Sequence, residues 1–133
     1  MYGMQCLRPN RQRKDYWGMK IWVDDVRPAP DGYEWCKSVC DATQLIEGIY
    51  MYHWIPEFWK TMKDKLEVID LDHDAGDYAK YGGDYIKLLD YLEDCEKNHG
   101  YDLKDVKFHI HSMNPVGIEN MRRIIQKNGW KEI

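Results

Sequence analysis

Three places in the chain set acids and histidines directly after a short apolar run. Lys20-Ile21-Trp22-Val23 is followed by Asp24-Asp25, Leu66-Glu67-Val68-Ile69-Asp70-Leu71 by Asp72-His73-Asp74, and Val106-Lys107-Phe108-His109-Ile110 by His111-Ser112. Short apolar runs closed by polar residues read as buried strands. In an open parallel sheet, ligands bind outside the carboxyl ends of the strands. The pattern therefore gathers Asp24, Asp25, Asp72, Asp74, His73 and His111 on one rim. Carboxylates held that close either raise one another's pKa or hold a cation. Oxygen donors suit a hard divalent ion, so the four aspartates are the expected ligands of Mg²⁺ or Mn²⁺. His73 and His111 titrate near neutrality and can supply an acid and a base beside that ion.

Carboxylates alone repel a phosphate, so a metal there makes sense only with donors for an anion. Arg27 can grip phosphate oxygens in bidentate fashion. Ser112 offers a hydroxyl, and Asn114-Pro115 begins a helix whose free amides point at the rim. A second helix start after Gly83 does the same, and Gly117 would let a ligand approach closely. Each residue also has a plainer reading. Aspartate is common in turns, Arg27 can simply neutralise an acidic rim, and a single histidine near a strand end is usually structural. His109 is expected on the opposite face or deeper in its strand, as a structural residue. His53 and His99 carry no partner signal.

Positioning these groups requires strands separated by helices. Arg27–Gly32, with two prolines and an Asp-Gly, is a loop. A second strand is expected within Tyr33–Val39. Asp41 then caps a helix with Leu45, Ile46, Ile49 and Tyr50 on one face. Pro56 breaks or restarts that helix, which resumes through Phe58, Trp59 and Met62. After the Gly76, Gly82, Gly83 loop, Asp84 caps a helix whose core face is Tyr85, Leu88, Leu89, Leu92 and Cys95. The last helix runs from Pro115 through Ile118, Met121 and Ile125 to a stop at Asn128-Gly129, and Trp130–Ile133 offers a final edge strand. The link from Asp25 to Tyr33 is too short for a helical crossover, so the second strand's direction stays open. No internal repeat or low-complexity segment interrupts this order.

Length bounds the rest. At 133 residues the chain fits one domain, with residues 1–19 as a basic, flexible extension and 20–133 as the folded unit. Mean hydropathy is −0.74, yet Tyr, Trp and Phe number 10, 6 and 2, and such side chains pack well, which argues against disorder. Residues 1–19 hold four basic and one acidic side chain; the remainder holds fifteen basic and twenty-two acidic. That body lacks the basic face that duplex nucleic acid requires. The apolar stretch from Gly48 to Pro56 is closed by Glu47 and Glu57, too short for a membrane span. Arg8, Arg11, Arg13 and Lys14 stand where a secretory leader would turn apolar. Four cysteines without finger spacing read as reduced thiols, and a cytoplasmic protein is expected.

The segments Asp24-Asp25-Val26-Arg27-Pro28, Leu71-Asp72-His73-Asp74-Ala75-Gly76 and His111-Ser112-Met113-Asn114-Pro115, with Glu119-Asn120-Met121, resemble the cyclic-phosphate-processing receiver-like family. That family is a divergent relative of the response-regulator receivers, and the likeness spans most of residues 19–130. It implies a three-layer, flavodoxin-like α/β domain: a mainly parallel sheet, helices on both faces, the first helix reduced to a loop. It also implies a metal site at the strand ends and a task on cyclic phosphates, such as 2′,3′-cyclic phosphate RNA ends or cyclic nucleotides. Asp24, Asp25 and Asp72 stand where receivers bind metal and accept a phosphoryl group. Against phosphorelay, the last strand shows no Lys-Pro and His73 follows the would-be acceptor.

The expected activity is metal-dependent hydrolysis of a small cyclic phosphate or RNA end. His73 and His111 would move protons, while Arg27, Ser112, Asn114 and Asn120 would bind phosphate. Asn120, one turn into its helix, has fixing the loop as its alternative. A non-catalytic cyclic-phosphate sensor and a phosphoryl-accepting receiver are the competing readings.

Overall fold

Met19, Ile21 and Val23 are buried while Lys20 and Trp22 between them are half-buried, the period of two of a strand with a core face and a solvent-side face. In the computed structural model, which describes residues 18–50 and 65–133, this run is β1 (Met19–Val23). The other strands are β2 (Tyr33–Cys36), β3 (Leu66–Leu71), β4 (Lys107–Ile110) and β5 (Lys131–Glu132). They form one sheet in the order β2-β1-β3-β4-β5 with every pair parallel.

The second strand is therefore parallel to the first without a helical crossover. Its register explains how. Lys20 pairs with Tyr33 and Val23 with Cys36, so the chain need climb down only about 13 Å, four residues at roughly 3.3 Å each. The intervening residues 24–32 reach that far with slack. Gly32, at φ +88°, supplies the left-handed step into β2.

Three helices follow among the described residues: α1 (Val39–Tyr50), α2 (Ile86–Asn98) and α3 (Pro115–Lys127), with a 3₁₀ segment at Gly76–Tyr81 before α2. The steps β2 to β3, β3 to β4 and β4 to β5 all run the same way across the sheet. Right-handed crossovers then put all three helices on one face. Leu45 and Ile46, Leu88, Leu89 and Leu92, and Met121 and Ile125 accordingly share one core with Ile21, Val23, Ile69, Leu71 and Phe108. Only the step from β1 to β2 runs the other way, and there the chain is a loop, as the receiver-like reading expects. Of the two helical layers expected, the described residues supply this one.

Two helix starts differ from expectation. Asp41 lies inside the first turn of α1, and its N–H donates to Ser38 Oγ at 3.0 Å, so Ser38 is the cap. Asp84 does not cap α2. Its carboxylate accepts the Ala75 N–H at 3.0 Å, and the buried Tyr85 takes the N-cap position without a side-chain capping bond, its hydroxyl donating instead to Lys37 C=O at 2.7 Å. Asn114 caps α3 as expected, accepting the Gly117 N–H at 3.0 Å. The expected Pro56–Met62 helix lies outside the described residues. Cys36 and Cys95 are buried and Cys40 is exposed.

α2 and α3 are joined at their far ends by Glu93, whose carboxylate accepts from Lys127 Nζ and Asn128 Nδ2, both at 2.8 Å. Those two bonds hold its pKa below the usual value. A depressed carboxyl pKa contributes stability above the unfolded pKa and loses it as pH falls through the folded one. Because Lys127 is exposed, the Glu93→Gln variant should cost only about 0.5–1 kcal/mol at pH 7. The difference in melting temperature between wild type and variant should vanish as the pH is taken below the carboxylate range.

Candidate functional site

The parallel ladder does not stop where the strands do. Asp72 N–H donates to Val23 C=O at 2.9 Å and His111 N–H to Leu71 C=O at 3.0 Å. The residues leaving β1, β3 and β4, three adjacent strands, are thereby held side by side. One donor atom each from Asp24, Asp72 and His111 lies within 4.8 Å of the others. Octahedral donors about 2.1 Å from one ion are roughly 3.0 Å apart when adjacent and 4.2 Å when opposite. Two carboxylates and an imidazole at this spacing fit a divalent cation with little closure.

Asp24 is the deepest of the three, only 1% exposed. Burial opposes its charge, yet its pKa is lowered, because Oδ1 accepts the N–H groups of Arg27 and Val26, both at 2.9 Å, and Oδ2 faces His111 Nε2 at 2.8 Å. His111 in turn puts Nδ1 2.6 Å from Asp70 Oδ1. Burial works against the imidazolium, but the hydrogen bonds to Asp70 and Asp24 prevail and raise its pKa. The ring also lies flat on Trp22, centroids 3.8 Å apart and planes 5° off parallel.

Asp25 stands on the same rim without joining that group. Burial raises its pKa, with Asp24, Asp72 and Asp77 adding to the effect. Its carboxylate rests on Gly76, at φ +56°, where a Cβ would collide with it. Asp74 is drawn elsewhere: Oδ1 meets His73 Nδ1 at 2.9 Å and Oδ2 faces Asn114 Nδ2 at 3.5 Å. The sequence-predicted set thus divides into an inner cluster of Asp24, Asp72 and His111 and an outer one of His73, Asp74 and Asn114.

The outer cluster explains Gly117 differently from the sequence reading. A Cβ there would lie 2.5 Å from His73 Cγ, so the glycine admits the His73 ring and not a ligand. Ser112 Oγ accepts the Asn114 N–H at 3.1 Å, which leaves its hydroxyl proton to donate. Arg27 leans back on the acids, with Nε 3.8 Å from Asp24 Oδ2 and one terminal nitrogen 3.5 Å from His111 C=O, while its side chain stays 49% exposed. Asn120 faces Arg123 of its own helix at 3.5 Å, and among the described residues it bonds to no other site residue.

Sequence reasoning missed Asp70, His109 and Trp22 as site residues. Asp70 pairs with Trp22 on one side and His109 on the other, and its Oδ1 also meets His109 Nδ1 at 2.9 Å. An acid set between Ile69 and Leu71 in a strand was the available signal, since a buried charge needs a partner. Alternation was the other signal: positions 109 and 111 share a face. His109 therefore lies deeper in the strand on the face of His111, not on the opposite one.

No helix among the described residues is long and apolar enough to cross a membrane. No curated protein and no solved structure matches the chain. The profile of the cyclic-phosphate processing receiver domain matches residues 19–127, most of the chain and the whole of the segment that carries these clusters. With its parallel five-stranded sheet in receiver order and acids at the strand ends, the chain belongs to the family of cyclic-phosphate processing receiver domains.

Proposed function

We propose that the protein hydrolyses a cyclic phosphate, such as a 2′,3′-cyclic phosphate RNA end or a cyclic nucleotide, with a divalent cation held between Asp24 and Asp72. The observation that carries this reading is the convergence of Asp24, Asp72 and His111 at three neighbouring strand ends in a chain of this family. A cation held there supplies Lewis-acid polarisation of a phosphoryl oxygen. Asp25 adds negative charge to the same rim and strengthens its pull on the ion.

The proton chemistry falls to His73. Both nitrogens of His111 face carboxylates, so the pair of histidines expected from sequence reduces to one. Among the described residues, His73 has a partner at Nδ1 only, the Asp74 carboxylate. That contact fixes the tautomer with Nε2 as base and steadies the imidazolium once formed, as a carboxylate does for the histidine of a catalytic triad. His73 Nε2 takes a proton from the attacking water as the new P–O bond forms. The ester P–O bond opposite breaks, and solvent protonates the departing alkoxide. Arg27 and Ser112 bind the phosphate oxygens as charge builds on them; in the first turn of α3, where Pro115 has no N–H and the Gly117 and Ile118 amides donate to Asn114, the Val116 amide joins them.

Purified protein should open 2′,3′-cyclic nucleotides, cyclic-phosphate-ended RNA or cyclic mononucleotides in Mg²⁺ or Mn²⁺ and stop when the ion is chelated. Asp24→Asn should abolish turnover, and His73→Ala should lower it by about 10²–10⁴-fold. Tight binding across the panel with no turnover would favour a sensing module. Stable labelling of Asp72 by a small phosphodonor, seen as added intact mass, would favour a phosphoryl-accepting receiver.

Gly117→Ala separates the placement of His73 from general stability. A helical Gly→Ala change contributes up to about 1 kcal/mol, which offsets the cost of displacing the ring. The variant should melt near the wild-type temperature yet lose at least about tenfold in kcat, with the His73 ring resonances shifted.

A further inference from the structure

The inner cluster has a feature that an all-carboxylate receiver site lacks, and it concerns which ion the site selects. We propose that His111 is itself a metal ligand through Nε2, that Asp70 is the positioning residue that aims it, and that the site prefers a first-row transition ion (Mn²⁺, Fe²⁺, Co²⁺ or Zn²⁺) to Mg²⁺. This rests on the reading above that a cation sits between Asp24 and Asp72.

The geometry around the ring argues against a role as proton carrier. His111 has a side-chain exposure of 9%, and each nitrogen is already directed at a carboxylate. Its Nε2 lies 2.8 Å from Asp24 Oδ2, close to the roughly 3.0 Å between adjacent donors of one octahedral ion. With a cation in place, that hydrogen bond would give way to two neighbouring coordination bonds, the ring turning in its own plane so that the Nε2 lone pair faces the ion.

The opposite edge of the ring carries the arrangement that histidine ligands ordinarily need. Such a histidine almost always donates its other N–H to a carboxylate or carbonyl, which fixes the tautomer and raises the basicity of the ligating nitrogen. Asp70 Oδ1, 2.6 Å from Nδ1, is that carboxylate. Asp70 is itself held by His109 Nδ1 at 2.9 Å from the register-paired position on β4. Trp22, packed flat on the ring, sets the plane in which the imidazole lies. Two carboxylates and one preoriented imidazole suit transition ions, whereas Mg²⁺ takes oxygen donors and dehydrates reluctantly.

The test is calorimetric titration of the full chain with MgCl₂, MnCl₂, CoCl₂ and ZnCl₂, none of which requires the substrate. Wild type should bind Mn²⁺, Co²⁺ and Zn²⁺ at least about tenfold more tightly than Mg²⁺. Asp70→Asn should weaken the transition ions by about 10–100-fold while changing Mg²⁺ affinity little, and His111→Ala should remove the preference. Proton NMR of the Co²⁺-loaded wild type gives a readout free of any variant. It should contain one strongly shifted, exchangeable imidazole N–H resonance, from His111 Nδ1. Equal affinity for Mg²⁺ and the transition ions, or a Co²⁺ complex without that resonance, would overturn the inference and leave the cation reading standing. Failure of wild type to bind any of the four ions would overturn both.

Discussion

A carboxylate with 1% of its surface exposed organises this end of the molecule. An isolated buried charge costs several kcal/mol unless neighbours replace its water. Asp24 obtains that replacement from two amides of its own turn, from His111 and, at longer range, from Arg27. Each of those partners needs placing in turn. The amides require the tight bend after β1, and His111 requires Asp70, the Trp22 ring and the ladder bond to Leu71. The result is a polar network in which every member is satisfied by another, the condition under which such networks rigidify a fold and do not weaken it.

The outer cluster has a different character. Asp74 has a 61% exposed side chain, and His73 touches it through one nitrogen only. A more buried part, bonded to its own partners, sits beside one whose carboxylate is open to solvent. That division suits a site where one set of groups holds a charge in place and another exchanges protons with whatever is bound. The α3 amino end serves the outer part structurally, since Asn114 caps it and Gly117 gives His73 its seat.

Much of this was legible from residue order. Apolar runs ending in acids located β1, β3 and β4, and the rule that ligands gather at strand carboxyl ends brought Asp24, Asp72 and His111 together. What escaped was set by partners distant in sequence. Asp41 and Asp84 look like caps, but Ser38 stands one residue before α1, and the Ala75 amide claims the Asp84 side chain. The direction of β2 depended on register, which places its first residue beside Lys20. Asp70 looked like one more strand residue until its neighbours on both sides were known, and the separation of Asp74 from Asp24 and Asp72, with Asp25 in neither cluster, depends on loop geometry that no spacing encodes.

The helix-free passage from β1 to β2 also bears on how the chain finds its fold. Parallel strands usually pair across long separations, and here Lys20 meets Val68 on β3 only after forty-eight residues, yet meets Tyr33 on β2 after thirteen. Closing the shorter loop costs about 1 kcal/mol less in chain entropy, which gives this parallel pair nearly the locality of a hairpin. Contacts that close short loops form early. Chain entropy therefore favours early formation of the bend carrying Asp24 and Arg27, ahead of the longer-range pairing that brings His111 to Asp24.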